Sequence, residues 1–169
     1  MGLPKALFLD RDGIVNVEKN YLYKIDDFEL MDGILDVCRH YEAQGYLIII
    51  VTNQSGISRG YYTQKDFKDL SEWMVEHFKS LGITLTHIYH CPHHETIDGK
   101  CDCRKPQPGM FLDAQRDFDI DMASSVMIGD NERDIEAAMR AGVTTNILLS
   151  RDASASAANL IIRSLQELL

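Results

Sequence analysis

The chain has 169 residues, 45% hydrophobic and 25% charged, which is enough for one domain with a substantial buried core. Its net charge of -9 opposes binding to nucleic acid or to an anionic membrane surface, because both would repel the chain. The longest aliphatic run is too short to cross a bilayer, and the N-terminus has no secretory pattern. We therefore expect a single domain over residues 1–169 that is cytoplasmic and monomeric, with no nucleic-acid or membrane partner.

Strand-like and helix-like segments alternate along the chain. Short apolar runs predict five strands, at 5–9, 46–52, 85–89, 125–128 and 145–149. Apolar residues at helical spacing predict helices capped by Asp32 and by Thr63 with Asp66, a helix at 109–118, one after the fourth strand, and a closing helix over Leu160 to Leu168. This order predicts an α/β fold, a Rossmann-like three-layer α/β/α sandwich with a mainly parallel sheet and no cap domain.

Two carboxylates follow the first predicted strand, Asp10 and Asp12, and Gly13 permits a sharp turn directly after them. If the extended geometry continued past the strand, both side chains would point to one side of the chain. Carboxylates held close together repel each other, and a protein tolerates them mainly where a cation neutralises them or one stays protonated. An isolated Asp-x-Asp is equally compatible with a polar strand end in solvent.

Polar side chains also collect around the ends of later strands: Thr52, Asn53, Arg104, Lys105, Asp130 and Asp134. In an open parallel sheet, ligands bind outside the carboxyl ends of the strands. Together these residues supply acids for a hard cation, donors for oxyanions and fixed positive charges, as a site for Mg²⁺ and a phosphoryl group requires. Because an acid is favoured in the first turn of a helix anyway, we expect Asp134 to support the metal site indirectly.

A second cluster contains three cysteines and a histidine within a short loop: Cys91, His93, Cys101 and Cys103. These four soft ligands are a complete set for a closed, structural, tetrahedral zinc site. Zinc would clamp the loop of about 91–103, which is too short and polar to build a core of its own. The spacing alone leaves other histidines open as the fourth ligand: His87, His90 and His94.

These motifs resemble the haloacid dehalogenase superfamily of phosphatases over nearly the whole chain. The four motifs of that superfamily are matched by Asp10-Arg11-Asp12-Gly13, Thr52-Asn53, Lys105 and Gly129-Asp130. Segments 52–57 and 101–106 are similar to a zinc-containing subgroup, the D-glycero-D-manno-heptose 1,7-bisphosphate 7-phosphatases and histidinol-phosphate phosphatases. The subgroup pattern selects His93 as the zinc ligand. Ile14 departs from the superfamily, where many members have threonine, and this removes a hydroxyl but no required acid.

The resemblance implies a mechanism with catalytic Mg²⁺, structural Zn²⁺ and an aspartyl-phosphate intermediate. Asp10 would be the nucleophile, and Asp12 would protonate the leaving alkoxide and then deprotonate the attacking water. Mg²⁺ would bind Asp10, the backbone carbonyl of Asp12, and Asp130. Thr52 and Lys105 would complete the catalytic set by holding phosphoryl oxygens.

Substrate choice must then come from short loops, since the predicted fold has no cap. We expect substrate contacts from Glu18, Lys19, Asn20, Tyr21, Thr52, Asn53, Gln54, Ser55, Arg59, Arg104 and Lys105. Arg104 suits a second phosphate, because its planar guanidinium binds oxyanions through two parallel bonds. Segment 105–110 resembles the heptose branch, which implies removal of the 7-phosphate of heptose 1,7-bisphosphate in lipopolysaccharide precursor biosynthesis. Histidinol phosphate is the alternative, since the zinc loop is shorter than in the heptose enzymes.

Two other classes of function are weaker. A DNA 3′-phosphatase is similar over part of segment 52–60, but the charge of -9 and the lack of a basic stripe oppose DNA binding. A non-catalytic zinc or phosphate-binding module would need no matched nucleophile and acid, and Asp10 and Asp12 supply both.

Overall fold

The computed structural model describes residues 2–169 and contains one six-stranded sheet in the order β3-β2-β1-β4-β5-β6. The strands are β1 (Lys5–Leu9), β2 (Tyr46–Asn53), β3 (Leu85–Cys91), β4 (Val126–Gly129), β5 (Thr145–Leu149) and β6 (Leu160–Ile162). The helices are α1 (Ile34–Ala43), α2 (Gln64–Ser80), α3 (Glu95–Asp98), α4 (Gly109–Phe118) and α5 (Glu132–Arg140). Within residues 2–169, no helix combines the length and apolarity that a membrane crossing needs.

Apolar layers cover both faces of the sheet, and β1 shows how the sequence builds them. Leu7 and Leu9 pack into one core together with α1 and α2, while Ala6 and Phe8 pack into a second core together with α4 and α5. Successive side chains of a strand point to opposite faces, so a strand covered on both faces is apolar throughout. The predicted three-layer sandwich is confirmed.

The order of the strands determines where along the sheet a ligand crevice can form. Every pairing in the sheet is parallel, and β1 lies between β2 and β4, with Leu7 opposite both Ile48 and Val126. The chain therefore moves outward from β1 to β3 in one direction and from β4 to β6 in the other. In such sheets the ligand crevice lies outside the carboxyl ends of the strands, where the order reverses. The segments after β1, β2 and β4 meet there.

The chain turns immediately after β1. Backbone amides of residues 14–16 all donate to the Arg11 carbonyl, so the extended geometry ends before Asp12. Asp12 therefore does not continue the alternation of the strand, and it finds different partners from those of Asp10. Residues 10–33 after β1 and residues 92–108 after β3 are long connections that border this edge of the sheet.

The structure confirms the predicted N-cap of one helix and contradicts that of another. The α2 cap is confirmed, because the Thr63 side chain accepts from the Asp66 amide and the Asp66 carboxylate accepts from the Thr63 amide. The predicted cap of α1 at Asp32 is wrong, since Gly33 is the N-cap with φ 87°. Glycine reaches this left-handed conformation without the clash that a Cβ would cause.

The predicted closing helix is wrong. Leu160–Ile162 forms strand β6, which pairs in parallel with β5, and only Leu165–Leu168 is helical, as a short 3-10 turn. The Ser150 amide donates to the Ile162 carbonyl at 2.9 Å, which helps to hold β6 on the sheet. Three apolar residues are too few to distinguish a helical period from a strand, and pairing with the open edge of β5 decides the outcome.

Candidate active site

Lys105 lies at the centre of the acidic group. Its Nζ donates to Asp10 Oδ1 at 2.9 Å and to the Val51 carbonyl at 2.8 Å, and lies 2.8 Å from Asp134 Oδ1. Burial favours the neutral amine, but the Asp10 and Asp134 carboxylates outweigh it and raise the pKa of Lys105. Lys105 therefore stays a buried cation at the carboxyl end of β1.

Three carboxylates lie close together, and two of them pair with this one ammonium group. Oxygens of Asp10, Asp130 and Asp134 all lie within 4.8 Å of one another. Burial raises the pKa of Asp10 well above its ordinary value; Lys105 opposes this shift, and the charges of Asp134 and Asp130 add to it. Burial also raises the pKa of Asp130. A single ammonium does not balance three acids, and the all-oxygen donor set fits Mg²⁺ as the second cation.

Two glycines allow the acids to sit against the backbone. Gly13 has φ +93°, and a Cβ at this position would overlap Asp130 Oδ2. A Cβ at Gly129 would overlap the Asp134 side chain. Any larger residue at either position would displace an acid from the cluster.

Asp134 has both carboxylate oxygens occupied by protein groups. Oδ1 pairs with Lys105, while Oδ2 accepts from the Asn131 amide at 3.1 Å as part of the capping box of α5. The residue is 1% exposed. These contacts are consistent with the expected indirect role, which remains a prediction.

Asp12 is held by three donors beside this cluster. Its Oδ1 accepts from Arg11 Nη2 and from Asn16 Nδ2, each at 3.0 Å, and its Oδ2 accepts from Gln54 Nε2 at 3.1 Å. The same Gln54 nitrogen donates to Thr52 Oγ1 at 2.9 Å. Asp12, the expected general acid, and Thr52, expected to bind a phosphoryl oxygen, therefore both accept a hydrogen bond from Gln54.

Asn53 binds the backbone of Lys105 from across the site. Its Oδ1 accepts from the Lys105 amide at 3.0 Å, and its Nδ2 donates to the Lys105 carbonyl at 3.3 Å. This reciprocal pair joins the end of β2 to the segment before α4. Asn53 thereby fixes the backbone from which the buried ammonium extends.

An open pocket adjoins Asp12. The residues expected to contact substrate that line it are Glu18, Asn20, Tyr21, Asn53, Gln54, Ser55, Arg59 and Arg104. Arg133, in the first turn of α5, lines the same pocket, although its sequence position suggests only a solvated helix end. Burial, and then the charges of Arg133 and Arg59, lower the pKa of Arg104, because the three cations converge. Three guanidinium groups therefore line one pocket, together with the carboxylates of Asp12 and Glu18.

Lys19, also expected to contact substrate, binds other protein groups in this structure. Its Nζ donates to the Asp27 carbonyl at 2.8 Å and to Glu29 Oε1 at 3.5 Å, and it does not line the pocket. The backbone turns at Asn20 and Tyr21, with φ 55° and 67°. Asn20 and Tyr21 line the pocket beside this turn, whereas the contact of Lys19 with substrate stays a prediction.

The cysteine cluster forms as expected, with one difference. Donor atoms of Cys91, His93, Cys101 and Cys103 lie within 4.8 Å of one another, and His93 Nδ1 is 3.5 Å and 3.3 Å from the Cys91 and Cys103 sulfurs. A disulfide joins Cys91 and Cys103, while Cys101 is free. A disulfide alone does not explain the convergence of His93 and Cys101. When Cys91 and Cys103 are reduced, the cluster supplies three thiols and an imidazole around one point, a donor set that could hold zinc.

Two of the other candidate histidines have partners of their own. His94 Nε2 lies 2.6 Å from Arg59 Nη2, and His90 Nε2 lies 2.8 Å from Gln64 Oε1. Arg104 Nη1 donates to the His93 carbonyl at 3.3 Å. The cysteine loop therefore contacts two of the three arginines that line the pocket.

Comparisons with known proteins agree with this architecture. A family model described as HAD-hyrolase-like matches residues 102–167. The D-glycero-alpha-D-manno-heptose-1,7-bisphosphate 7-phosphatase of Campylobacter jejuni is 50% identical, over 88% of this chain and 84% of that protein. The D-glycero-beta-D-manno-heptose-1,7-bisphosphate 7-phosphatase of Photorhabdus laumondii is 45% identical, over 99% of this chain and 94% of that protein.

A solved structure shows the same fold with ligands bound. The D,D-heptose 1,7-bisphosphate phosphatase from B. bronchiseptica, complexed with magnesium and phosphate, has a TM-score of 0.84 and 28% identity, covering 97% of this chain and 95% of that one. The full-length matches, the parallel sheet and the grouped acids agree. The chain belongs to the heptose 1,7-bisphosphate phosphatase family of the haloacid dehalogenase superfamily.

Proposed function

We propose that this protein is a phosphatase that removes the 7-phosphate of D-glycero-D-manno-heptose 1,7-bisphosphate. The observation that carries the proposal is the convergence of Asp10, Lys105 and Asp130 beside Asp12 and Thr52 at the switch point of the sheet, in a chain 45–50% identical to relatives with that name. The reaction is hydrolysis of a phosphoric monoester.

The nucleophile would be a carboxylate oxygen of Asp10. It attacks phosphorus, and a new oxygen–phosphorus bond forms as the bond from phosphorus to the substrate oxygen breaks. Asp12 gives its proton to the departing alkoxide. A water then attacks the phosphorus of the aspartyl phosphate and passes a proton to Asp12. The bond between Asp10 and phosphorus breaks, inorganic phosphate leaves, and Asp10 is restored.

Mg²⁺ would be held by Asp10, the backbone carbonyl of Asp12, and Asp130. When bound, it would neutralise charge on the phosphoryl group and favour the ionised form of the buried acids. The raised pKa values of Asp10 and Asp130 support this assignment, because burial makes their ionised forms costly without a further cation. Asp134 would act through its bonds to Lys105 and α5.

Zn²⁺ would be held by Cys91, His93, Cys101 and Cys103 in the reduced protein. The site would have no open position, so its role would be structural. It would stabilise the loop that carries Arg104 next to the pocket, since Arg104 donates to the His93 carbonyl.

The second phosphate of the substrate would bind in the arginine-lined pocket. Arg59, Arg104 and Arg133 lie around it, and guanidinium groups bind phosphate through paired, charge-assisted hydrogen bonds. Histidinol phosphate has no second phosphate and carries a cationic amine, which these three cations would repel. The pocket therefore favours a bisphosphate.

The test is phosphate release with Mg²⁺ from both anomers of heptose 1,7-bisphosphate and from histidinol phosphate. Asp10→Asn is the inactive variant, and Asp36→Asn is its matched control, because the Asp36 side chain is 66% exposed on α1. We expect turnover of a bisphosphate anomer by the parent and by the Asp36 variant, and loss of at least about 10³-fold in the Asp10 variant. Preference for histidinol phosphate would refute the substrate assignment.

A further inference from the structure

A buried amide connects two of the groups used in the reaction. Gln54 is 3% exposed, its Nε2 donates to Asp12 Oδ2 at 3.1 Å and Thr52 Oγ1 at 2.9 Å, and its Oε1 accepts from the Tyr62 hydroxyl. In this orientation the amide nitrogen uses its two hydrogens on Asp12 and Thr52. The amide oxygen then faces Tyr62, whose hydroxyl must donate.

We propose that Gln54, backed by Tyr62, is a positioning residue that sets the Asp12 carboxyl and the Thr52 hydroxyl for phosphoryl transfer. This role replaces the substrate contact expected of Gln54 from the sequence. Both hydrogens of its amide nitrogen are already used within the protein, and the residue is almost fully buried. The inference rests on the proposed function, because Asp12 and Thr52 matter here only if the protein transfers a phosphoryl group.

The amide acts on Thr52 by occupying a lone pair. A hydroxyl group has one hydrogen to donate and two lone pairs that accept. Because Gln54 donates to Thr52 Oγ1, the hydroxyl hydrogen remains available for a phosphoryl oxygen. Thr52 is 1% exposed and its hydroxyl otherwise makes only a long contact, 3.4 Å, with the Asn53 carbonyl. Arrival of the phosphoryl group can therefore redirect this hydrogen at low cost.

The amide acts on Asp12 by completing a ring of donors. Arg11 and Asn16 bind Oδ1 while Gln54 binds Oδ2, so both ends of the carboxyl group are anchored and its plane cannot rotate freely. The side chain is still 19% exposed toward the pocket. A proton donor must lie within hydrogen-bond reach of the departing oxygen, and a fixed plane makes that geometry available without reorganisation.

Tyr62 is itself well fixed. It is 5% exposed, and its ring stacks on Tyr23 at 5.4 Å with an interplanar angle of 11°. A Cβ at Gly56 would overlap the Tyr62 ring, so the glycine lets the ring reach Gln54. Burial raises the pKa of Tyr62 to about 12, and the hydroxyl therefore keeps the hydrogen that it donates to the amide.

The test compares two leaving groups in the full-length, metal-loaded enzyme. Heptose 1,7-bisphosphate releases an alkoxide, which needs a proton from Asp12, whereas p-nitrophenyl phosphate releases a stable phenolate that needs little help. The kcat/KM value reports the steps up to departure of the leaving group. The variants are Gln54→Met, which keeps the length but loses the amide, and Tyr62→Phe, which loses one oxygen. Tyr89→Phe is the matched control, because its hydroxyl donates at 2.7 Å to Asp117 outside the site.

We expect Gln54→Met to lower kcat/KM about 100-fold for the bisphosphate and at most about tenfold for p-nitrophenyl phosphate. Tyr62→Phe should lower kcat for the bisphosphate by about three- to tenfold while changing KM less than about twofold. Tyr89→Phe should match the parent on both substrates. A melting curve shows whether each variant is folded, and if Gln54→Met is not, Tyr62→Phe decides by the ratio of its losses on the two substrates.

Two results would overturn the proposal. Equal losses on both substrates would mean that Gln54 does not act through Asp12, and a change confined to KM would return it to substrate binding. The parent is measured first: if it hydrolyses neither substrate, the proposed function itself fails and this inference falls with it. An active parent with equal losses on both substrates leaves the proposed function standing and refutes the positioning of Asp12 by Gln54.

Discussion

Replacing Lys105 with methionine tests how the buried charges of the site are balanced. The side chain of Lys105 is 1% exposed, and its ammonium group pairs with Asp10 at 2.9 Å and Asp134 at 2.8 Å. Methionine fills a similar volume but has no charge. Lys105→Met therefore leaves two buried carboxylates without their cation while changing the packing of the site little.

We expect Lys105→Met to lower the free energy of unfolding by a large amount. Breaking a buried ion pair by removing one partner destabilises a protein by about 3–5 kcal/mol, which is a substantial part of a typical total of roughly 5–15 kcal/mol. Lys68→Met is the matched control, because it breaks a surface pair with Glu72 in which the lysine side chain is 70% exposed. The control should leave the midpoint of unfolding nearly unchanged.

The loss of stability caused by Lys105→Met should also increase with pH. Burial raises the pKa of Asp10 above its value in the unfolded chain, so the folded protein holds a proton that the unfolded chain releases. Stability is then greatest below the unfolded pKa of about 3.9 and falls as pH rises toward the folded value, by about 1.4 kcal/mol per pH unit for each such group. Lys105 opposes the upward shift of the Asp10 pKa. Removing Lys105 therefore raises this pKa further, and the loss of stability continues to higher pH.

Urea denaturation followed by circular dichroism at pH 5 and pH 8 measures this effect, in buffer with zinc retained and no added Mg²⁺. The difference in unfolding free energy between parent and Lys105→Met should be larger at pH 8 than at pH 5. Groups far from Lys105 titrate alike in parent and variant, so their contributions cancel, and the difference reports the acids around Lys105. A deficit no larger than that of Lys68→Met, or one that is larger at pH 5, would refute the charge balance inferred for the site.

Three further predictions concern the acids, the cysteine cluster and the pocket. Gly13→Ala should abolish activation by Mg²⁺, because its Cβ would displace Asp130; Gly45→Ala shares the positive φ of 88° but meets nothing within 4 Å, and should remain active. Equal losses of activity in the two variants would mean that the overlap with Asp130 is not the cause. Cys101→Ser should lower bound zinc from about one ion per chain to near zero in elemental analysis, whereas retained zinc would contradict the ligand set. Arg133→Met should raise KM for the bisphosphate by roughly tenfold without affecting p-nitrophenyl phosphate, and parallel changes on both would refute its role in binding a second phosphate.

Sequence patterns located the edge of the sheet where the acids gather. Asp10 and Thr52 could be assigned to one crevice because apolar runs precede them and the carboxyl ends of parallel strands meet at one edge. The cysteine cluster could be recognised because its ligands are close along the chain. Arg133 escaped recognition, since nothing in the first turn of a helix distinguishes an arginine that borders a pocket from one in solvent.

The edge strand and the loop after β1 could not be predicted. Leu160–Ile162 is too short for its period to separate strand from helix, and it became a strand by pairing with β5. Lys19 belongs to a polar segment that suggested substrate contacts throughout. The chain turns at Asn20 and Tyr21, which have positive φ values, and Lys19 contacts Asp27 and Glu29.

By itself the sequence determined the order of the first five strands, the family, and the kinds of side chain available for phosphoryl transfer and for metal binding, because these depend on residue type and local spacing. Only the tertiary structure decided which partner each polar atom has. Lys105 and Asp10 are 95 residues apart, and Gln54 and Asp12 are 42 residues apart. Hydrogen bonds and burial at that separation arise only when the sheet brings the strand ends together, so the charge balance at Lys105 and the fixed carboxyl of Asp12 are properties of the fold.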